Sequence, residues 1–346
     1  MFHPSIKLNT RMSATTSDIT LTARCHCSLF NHTFNLPSAA FPLKASVCSC
    51  NTCRYVSGHL FASFAVIPLP TPEEAFFKDL IKYESSNTLS RYFCPRCGAS
   101  VLNVDKDEWE FATGILEIDG GLDGKLDRVV LWVGDTGDGG AARWINAGKV
   151  EGLVGRKMGG RDSQDVTDGM LAAFEKLAES KFLGATDKVV ANCHCGDVKF
   201  DVLKPDGERY AAGLCACESC RRTSGFEINA WVSVARDKVQ WDKGNFRELL
   251  NGCGKYQATE KAERYFCKRC GAQVAYVRDE WNWYEIAGGL LRALEGSRAE
   301  SILWWNKSDI GVEYIEDARD QEFANKIKQG LEATTKPKAR SRPRDE

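Results

Sequence analysis

Apolar and polar positions alternate along much of this chain, which is the pattern of a β-strand with one buried face. The alternation is clear at 19–23 and again at 226–234. Apolar stretches at 60–67, 101–104 and 274–277 have the length of short buried strands and are followed by proline or by charged turns. Together these patterns predict a mainly β protein.

The pattern also repeats along the chain. Asp-Glu-Trp precedes a predicted strand at Trp109 and again at Trp281, and each tryptophan is predicted to open its strand. Leu-Trp occurs at 131–132 and again at 303–304, which we interpret as a second matched pair. Large aromatic residues of this kind are expected in small β cores or in pocket walls.

Two segments have the period of a helix. From Asp165 to about Lys181, apolar residues recur every three or four positions, and Asp165 is the predicted N-cap. The second helix is predicted at 317–329, where the sequence is polar and amphipathic. A glycine-rich stretch at 147–160 is predicted to form a loop.

A chain of 346 residues exceeds the usual size of one domain, and the repeat favours two. We call the two predicted domains the first and second repeat. The predicted organisation is a flexible leader at 1–17, the first repeat at 18–147, a loop and linker helix at 148–186, the second repeat at 187–315, and a C-terminal helix with a basic tail at 316–346.

Charge and hydropathy disfavour several classes of partner. The formal net charge is −1, so no overall field attracts nucleic acid or an anionic membrane. The chain has no apolar run of the ~18 residues needed to cross a bilayer, and its first residues do not resemble a secretory signal. These features predict a cytoplasmic protein. Five basic residues at 336–344 could serve as a nuclear address or a nucleic-acid contact, but their composition favours a solvated, disordered end.

The 15 cysteines carry the strongest chemical signal. They could form disulfides or bind metal, and the absence of an export signal favours metal-bound thiolates. All but Cys253 fall in three motifs that recur in one order: C-x-C, C-x-C-x-x-C-R-x-x-S-G and C-x-x-C-G. Cys253 is predicted to be a small buried or partly exposed residue. The C-x-x-C-G motif is typical of a zinc knuckle, which supplies two of four tetrahedral ligands.

Pairing C-x-C with C-x-x-C in each repeat would close a four-ligand structural zinc site. The predicted ligands of these sites, which we call the four-cysteine sites, are Cys25, Cys27, Cys94 and Cys97 in the first repeat, and Cys193, Cys195, Cys267 and Cys270 in the second.

Three cysteines then remain in each C-x-C-x-x-C motif, and we call each set a triplet. The first triplet is Cys48, Cys50 and Cys53, and the second is Cys215, Cys217 and Cys220. Three thiolates leave a coordination position open, which is typical of catalytic zinc, so these six residues are also the candidate catalytic residues. The alternative is a weak structural site or a redox-labile thiol cluster. The predicted cofactor is Zn²⁺, up to two per domain and four per chain.

Several polar residues lie near these motifs. His26 and His194 sit inside the C-x-C pairs and are predicted to be exposed rather than ligating. His32 and His59 have no matching histidine in the other repeat, which argues against either as a shared ligand. Arg54 and Arg221 could offset thiolate charge or bind a substrate carboxylate, with a surface salt bridge as the equal alternative.

With these motifs, the sequence resembles the family of glutathione-dependent formaldehyde-activating enzymes and centromere protein V. The resemblance covers most of 18–147 and 187–315. It implies a coiled β-sheet fold of the β-tent kind in two tandem zinc-bound domains joined by a helical linker. It also implies that four cysteines bind structural zinc while the triplet binds catalytic zinc.

The activity implied by the resemblance is that of a carbon–sulfur lyase, which adds the thiol of glutathione reversibly to formaldehyde and gives S-hydroxymethylglutathione. The expected partners are therefore a small thiol such as glutathione and a small aldehyde. Ser28 replaces the more typical glycine found at Gly196, and Tyr55 stands where the second repeat has Arg222. If one repeat alone is active, the sequence favours the second. The alternative function is a zinc-stabilised binding or scaffold protein without turnover.

Overall fold

The computed structural model describes residues 18–68, 76–105, 108–145, 153–182, 187–305 and 311–334. The protein is mainly β, with sheets in two repeated bodies, which confirms the predicted fold class. The predicted leader and the basic tail at 336–344 lie outside the described residues, and the exact domain boundaries stay predictions. Among the described residues, no helix is long and apolar enough to cross a membrane.

The first repeat contains a three-stranded sheet of order β2-β1-β9 and an eight-stranded sheet of order β11-β10-β3-β4-β8-β7-β6-β5. Its elements are β1 Asp18–Arg24, β2 Asn31–Pro37, β3 Leu43–Cys48, α1 Asn51–Ser57, β4 Ala62–Val66, β5 Ile81–Glu84, β6 Leu89–Phe93, β7 Ser100–Asp105, β8 Glu108–Ala112, β9 Leu116–Ile118, β10 Leu126–Leu131 and β11 Leu153–Arg156.

A helix, α2 Asp168–Lys181, leads to the second repeat, which has a four-stranded sheet and an eight-stranded sheet in which β22 and β23 both pair with β14. Its elements are β12 Lys188–Asn192, β13 Lys199–Leu203, β14 Tyr210–Cys215, α3 Glu218–Ser224, β15 Asn229–Ala235, β16 Val239–Trp241, β17 Gly244–Asn245, α4 Phe246–Gly252, β18 Gly254–Thr259, β19 Ala262–Phe266, β20 Gln273–Val277, β21 Trp283–Ala287, β22 Leu303–Trp305 and β23 Val312–Glu313, followed by α5 Gln321–Thr334.

Three local predictions were wrong. The predicted loop at 147–160 contains β11, because parallel pairing with β10 gives this glycine-containing segment a partner. Helix α2 is capped by Thr167, whose hydroxyl accepts a hydrogen bond from the backbone N–H of Met170. Asp165 instead forms an ion pair with Lys157 at 2.9 Å. Helix α5 starts after the predicted position 317, which lies in a short 3-10 turn.

The tryptophan pairs predicted from the sequence are not structural equivalents. Ala112 and Ala287 lie opposite matching positions of β4 and β15, and this register aligns Trp109 with Tyr284. Trp281 therefore lies in a longer turn before β21 rather than opening it. Likewise, Trp132 corresponds to Tyr314, since each follows the strand paired with the first cysteine of a triplet and each has a positive φ.

The two repeats pack against each other through matched contacts. The backbone N–H of Gly289 donates to the carbonyl of Gly58, and that of Gly114 donates to the carbonyl of Gly225, both at 2.8 Å. A Cβ at Gly289 would lie 2.0 Å from the carbonyl oxygen of His59, so only glycine permits this approach. The C-terminal end of each triplet helix is therefore docked on the opposite repeat.

Hydrophobic burial also crosses between the repeats. The largest core cluster contains Phe61 of the first repeat, most buried residues of the second, and Phe323 of α5. The rings of Phe61 and Phe323 meet edge to face with centroids 6.4 Å apart. Since α5 packs on residues of both repeats, we expect the two repeats to unfold together.

Candidate metal centres

Each four-cysteine site joins two turns that are distant in sequence. In the first repeat, the sulfur of Cys27 lies 3.6 Å from that of Cys25 and 3.5 Å from that of Cys94. In the second, Cys195 lies 3.5 Å from both Cys193 and Cys267. In each repeat, all four sulfurs lie within 4.8 Å of one another.

The spacing of the four sulfurs fits a tetrahedral metal ion. Zinc–sulfur bonds of about 2.3 Å place tetrahedral ligands about 3.8 Å apart, close to the observed distances. A glycine with positive φ follows each C-x-x-C turn, and the backbone N–H of Gly98 donates to the carbonyl of Cys94 at 2.9 Å. Hydrogen bonding with Cys25 lowers the pKa of Cys27 and raises that of Cys97, because the thiols lie within contact of one another. The site is suited to a closed, four-coordinate ion.

Each triplet lies where a buried strand meets the first turn of a helix. The first cysteine ends the strand, and the second is the N-cap of the helix. The Sγ of Cys50 accepts a hydrogen bond from the backbone N–H of Cys53, and that of Cys217 accepts one from Cys220, both at 3.3 Å. The three sulfurs of each triplet lie within 4.8 Å of one another. The two triplets could therefore each hold a metal ion with three ligands.

One arginine in each repeat, missed by the sequence analysis, supports the thiolate charge. The Nη2 of Arg264 donates to the Sγ of Cys220 at 3.2 Å, and that of Arg91 donates to Cys53 at 3.3 Å. Hydrogen bonds with Cys215 and Cys217, together with the guanidinium, hold the pKa of Cys220 well below its usual range. The signal was present in the sequence, because Arg-Tyr-Phe-Cys precedes the zinc-knuckle turn in both repeats.

The arginines singled out from the sequence have a different role. Arg221 is 1% exposed and donates to the carbonyl of Gly114 at 2.8 Å and to Glu117 at 3.3 Å. Arg54 is also buried and donates to the side chain of Asn51. Arg221 thus binds the opposite repeat, so neither a surface salt bridge nor a substrate contact describes it.

The histidines of the C-x-C pairs are half-buried rather than exposed, because they too contact the opposite repeat. The Nδ1 of His26 lies 2.7 Å from the hydroxyl of Tyr256, and that of His194 lies 2.6 Å from the hydroxyl of Tyr83. Their backbone N–H groups donate to the opposite triplet helix, that of His194 to the carbonyl of Tyr55 at 3.1 Å. Each four-cysteine turn therefore braces the triplet helix of the other repeat.

The second triplet opens into a cavity of about 340 Å³. All three of its cysteines contribute to the wall, together with Arg264 and aromatic side chains. These aromatic residues are Trp231, Tyr276, Trp281 and Tyr314. Four lining residues are acidic: Glu218, Glu285, Glu313 and Asp317. Arg264 is the one basic side chain among the described residues that line the cavity.

The first triplet has different neighbours. Cys48 and Cys53 pack in a small buried cluster with Phe64 and with Phe226 from the second repeat. The two phenylalanine rings meet edge to face, with centroids 5.5 Å apart. Next to this cluster, Glu227 of the second repeat forms a buried ion pair with Arg128 at 2.9 Å. A phenylalanine from the opposite repeat therefore packs in the same buried cluster as two cysteines of the first triplet.

His59 occupies the matching position at the second triplet, although it belongs to the first repeat. It is fully buried, and its Nδ1 accepts a hydrogen bond from the backbone N–H of Ala230 at 3.1 Å. Its ring meets Trp231 edge to face, with centroids 5.4 Å apart. Burial lowers the pKa of His59 to about 4. His59 is thus a neutral neighbour of the second triplet and lies outside its group of three sulfurs.

Comparison with known proteins agrees with this architecture. The family model described as glutathione-dependent formaldehyde-activating enzyme matches residues 20–125 and again 188–307, one match in each repeat. A protein of Halomonas elongata, which carries the provisional name of a glutathione-dependent formaldehyde-activating enzyme, is 31% identical over 112 residues. That match covers 30% of this chain and 64% of the relative's length. On these matches, and with both cysteine frames intact, the chain is a tandem member of the glutathione-dependent formaldehyde-activating enzyme family.

Proposed function

We propose that the second triplet binds a zinc ion with an open coordination position, and that a thiol such as glutathione adds reversibly to formaldehyde or another small aldehyde at this site. The observation that carries the proposal is the cavity of about 340 Å³ beside Cys215, Cys217 and Cys220. The four-cysteine set of the same repeat has enough ligands to close its coordination. The first triplet and both four-cysteine sites would bring the total to four zinc ions per chain.

A zinc ion at the triplet would supply a Lewis acid that lowers the pKa of a bound thiol, so that a thiolate forms near neutral pH. Residues of the chain position the reacting groups. Cys217, the half-buried member of the triplet, faces the cavity together with Cys215 and Cys220. Arg264 fixes Cys220 through its hydrogen bond. Trp231, Tyr276 and Trp281 form part of the cavity wall beside the reacting groups.

The reaction needs little proton transfer. The thiol sulfur forms a bond to the carbonyl carbon, the π electron pair of the carbonyl moves to oxygen, and that oxygen takes up the proton released by the thiol. The product is an S-hydroxymethyl thioether, and every step is reversible. This reaction class is that of a carbon–sulfur lyase.

The test is the exchange rate between ¹³C-formaldehyde and S-hydroxymethylglutathione, measured by NMR with the zinc-loaded full chain. We expect the wild type to accelerate exchange and Cys217→Ser to lose the acceleration. Cys50→Ser makes the same change in the first triplet and is the matched control, with at least tenfold more activity retained than in Cys217→Ser. Zinc content and circular dichroism verify that both variants fold.

Either of two results would count against the proposal. Equal activity in the wild type and Cys217→Ser would remove the second triplet from the reaction. No acceleration by a wild type that carries its full zinc content would exclude this thiol and aldehyde.

A further inference from the structure

We propose that Arg264 is a second catalytic group of this site: it binds the carbonyl oxygen of the aldehyde and stabilises the negative charge that forms there. The inference rests on the proposed function. The two repeats differ in the hydrogen bonds of this guanidinium group, although their cysteine motifs match.

Arg264 is 2% exposed and lies in the wall of the cavity. Its Nη2 is used twice, donating to the Sγ of Cys220 and to the hydroxyl of Ser219, each at 3.2 Å. Its Nε and Nη1 are buried and have no acceptor among the described residues. A buried donor without an acceptor costs about 1–3 kcal/mol, so an oxygen supplied by a ligand would be bound favourably.

The aromatic wall holds this guanidinium in place. Its central carbon lies 4.9 Å from the ring centroid of Tyr276 and 5.7 Å from that of Trp231. The group is thus fixed between the second triplet and two cavity walls before any ligand binds. Such preorganised donors stabilise a developing oxyanion strongly, because no reorganisation is needed during the reaction.

In the equivalent residue of the first repeat, Arg91, each side-chain nitrogen already has an acceptor. Its Nε donates to the hydroxyl of Ser85 at 2.9 Å, its Nη1 to Asn103 at 3.3 Å, and its Nη2 to Cys53 at 3.3 Å. Asn103 and Tyr276 occupy matching strand positions, since each lies opposite the arginine of its own repeat. Replacement of an amide acceptor by a phenol ring therefore leaves Nη1 of Arg264 without that partner.

This arrangement gives Arg264 a defined part in the addition. As the sulfur–carbon bond forms, the π pair of the carbonyl moves to oxygen, and the N–H groups of Arg264 donate to that oxygen. The alkoxide then takes up the proton lost by the thiol and becomes the hydroxyl of the product. Arg264 keeps its own protons throughout, because a guanidinium does not titrate near neutral pH.

The experiment compares substitutions in the zinc-loaded full chain by the same NMR exchange assay. Arg264→Gln removes the charge, and we expect a loss of roughly 100-fold in kcat, the usual size for removal of an oxyanion donor. The loss should fall on kcat more than on the KM for glutathione, because the interaction grows in the transition state. Arg91→Gln, the same change at the first triplet, should lose at least tenfold less.

A second substitution keeps Arg264 and occupies its Nη1. Tyr276→Asn copies the surroundings of Arg91, and we expect a loss of roughly tenfold. Tyr276→Phe keeps the ring without adding an acceptor and should lose less than Tyr276→Asn. Zinc content is measured for every variant, so that a loss of metal is not mistaken for a loss of the donor. Full activity in zinc-loaded Arg264→Gln would overturn the inference while leaving the proposed function standing.

A binding measurement separates the inference from the proposed function. ¹³C-formate presents a small anionic oxygen, and its NMR line should broaden on adding the wild type but not on adding Arg264→Gln. Broadening of the formate line by the wild type alone would support an oxygen-binding role for Arg264 even if the wild type fails to accelerate exchange. An equally broad line with both proteins, or no broadening with either, would rule that role out.

Discussion

The two triplets have matching sulfur positions and different neighbours. At the first, phenylalanines from both repeats pack with the cysteines, and each side-chain nitrogen of Arg91 donates a hydrogen bond to a protein acceptor. At the second, a cavity opens beside the cysteines, and two nitrogens of Arg264 lack an acceptor among the described residues. A duplicated ligand frame thus accommodates two chemical environments, because the neighbours come from other strands and from the other repeat.

Part of the difference comes from one turn. Strands β7 and β8 of the first repeat are joined by a hairpin in which Asp105 pairs with Glu108. The equivalent strands β20 and β21 are separated by five residues, 278–282. The longer turn carries Trp281, which stacks on Trp283 with centroids 4.8 Å apart and lines the cavity. The longer turn therefore contributes one wall of the cavity at the second triplet.

The largest effect is expected where the two repeats are alike. Cys97→Ser and Cys270→Ser each remove one ligand of a four-cysteine site, and structural zinc contributes of order 10 kcal/mol to folding. We expect either variant to lose cooperative unfolding, measured by circular dichroism, and to bind less zinc. Cys217→Ser should keep its fold by the same measurement. A well-folded Cys270→Ser with unchanged zinc content would contradict a structural role for this site.

A second prediction concerns the buried ion pair beside the first triplet. Glu227 contacts Arg128, which also pairs with Asp320 at 2.9 Å, whereas the equivalent of Glu227 in the first repeat is Leu60. Glu227→Leu should destabilise the protein by about 3 kcal/mol, because it leaves a buried charge with fewer partners. Urea unfolding measures the effect. Glu227→Gln keeps an acceptor and should cost less; an equal cost would point to side-chain shape rather than charge.

His59 should make the stability of the protein depend on pH. Its pKa is lowered to about 4, mainly by burial, from about 6.5 in the unfolded chain. The contribution of neutral His59 to the free energy of unfolding is complete above pH 6.5 and is lost as the pH falls toward 4. The reason is that the unfolded state then binds a proton that the folded state does not. Linkage gives a loss of about 2 kcal/mol between pH 7 and pH 5.

The variant that tests this pH dependence replaces His59 by phenylalanine, the residue found at the matching position beside the first triplet. His59→Phe copies Phe226, and its unfolding free energy should fall about 2 kcal/mol less than that of the wild type over the same interval. Urea unfolding at the two pH values provides the measurement. Identical pH dependence in the two proteins would show that His59 does not stay neutral when the chain folds.

The smallest effect is expected at Trp281. Trp281→Ala removes a cavity wall that stacks on Trp283 but contributes no metal ligand. Loss of an aromatic contact with the substrate worth about 1 kcal/mol should raise KM roughly fivefold. We expect kcat and thermal stability to be nearly unchanged. Steady-state exchange kinetics would reveal it. An unchanged KM would mean that the thiol and aldehyde bind away from this wall.

Local sequence patterns were informative where structure depends on near neighbours. Alternation predicted β1, since a strand with one buried face requires it, and a short apolar stretch predicted β7, whose central residues are buried. Helix α2 was found by its period, but its cap was misplaced from Thr167 to Asp165, because both residue types favour the position and only the contact with Met170 distinguishes them. The strand β11 was missed, since its partner β10 lies more than 20 residues earlier.

The sequence by itself determined the mainly β class, the twofold repeat and the grouping of cysteines into short motifs, because turn geometry places sulfurs two or three residues apart on one side. Tertiary structure alone decided which residues surround those sulfurs. His59 reaches the opposite triplet, Arg221 binds the opposite repeat, and Arg264 and Arg91 differ in their free donors. These contacts depend on how two sheets and two repeats pack, which is not contained in the spacing of neighbours along the chain.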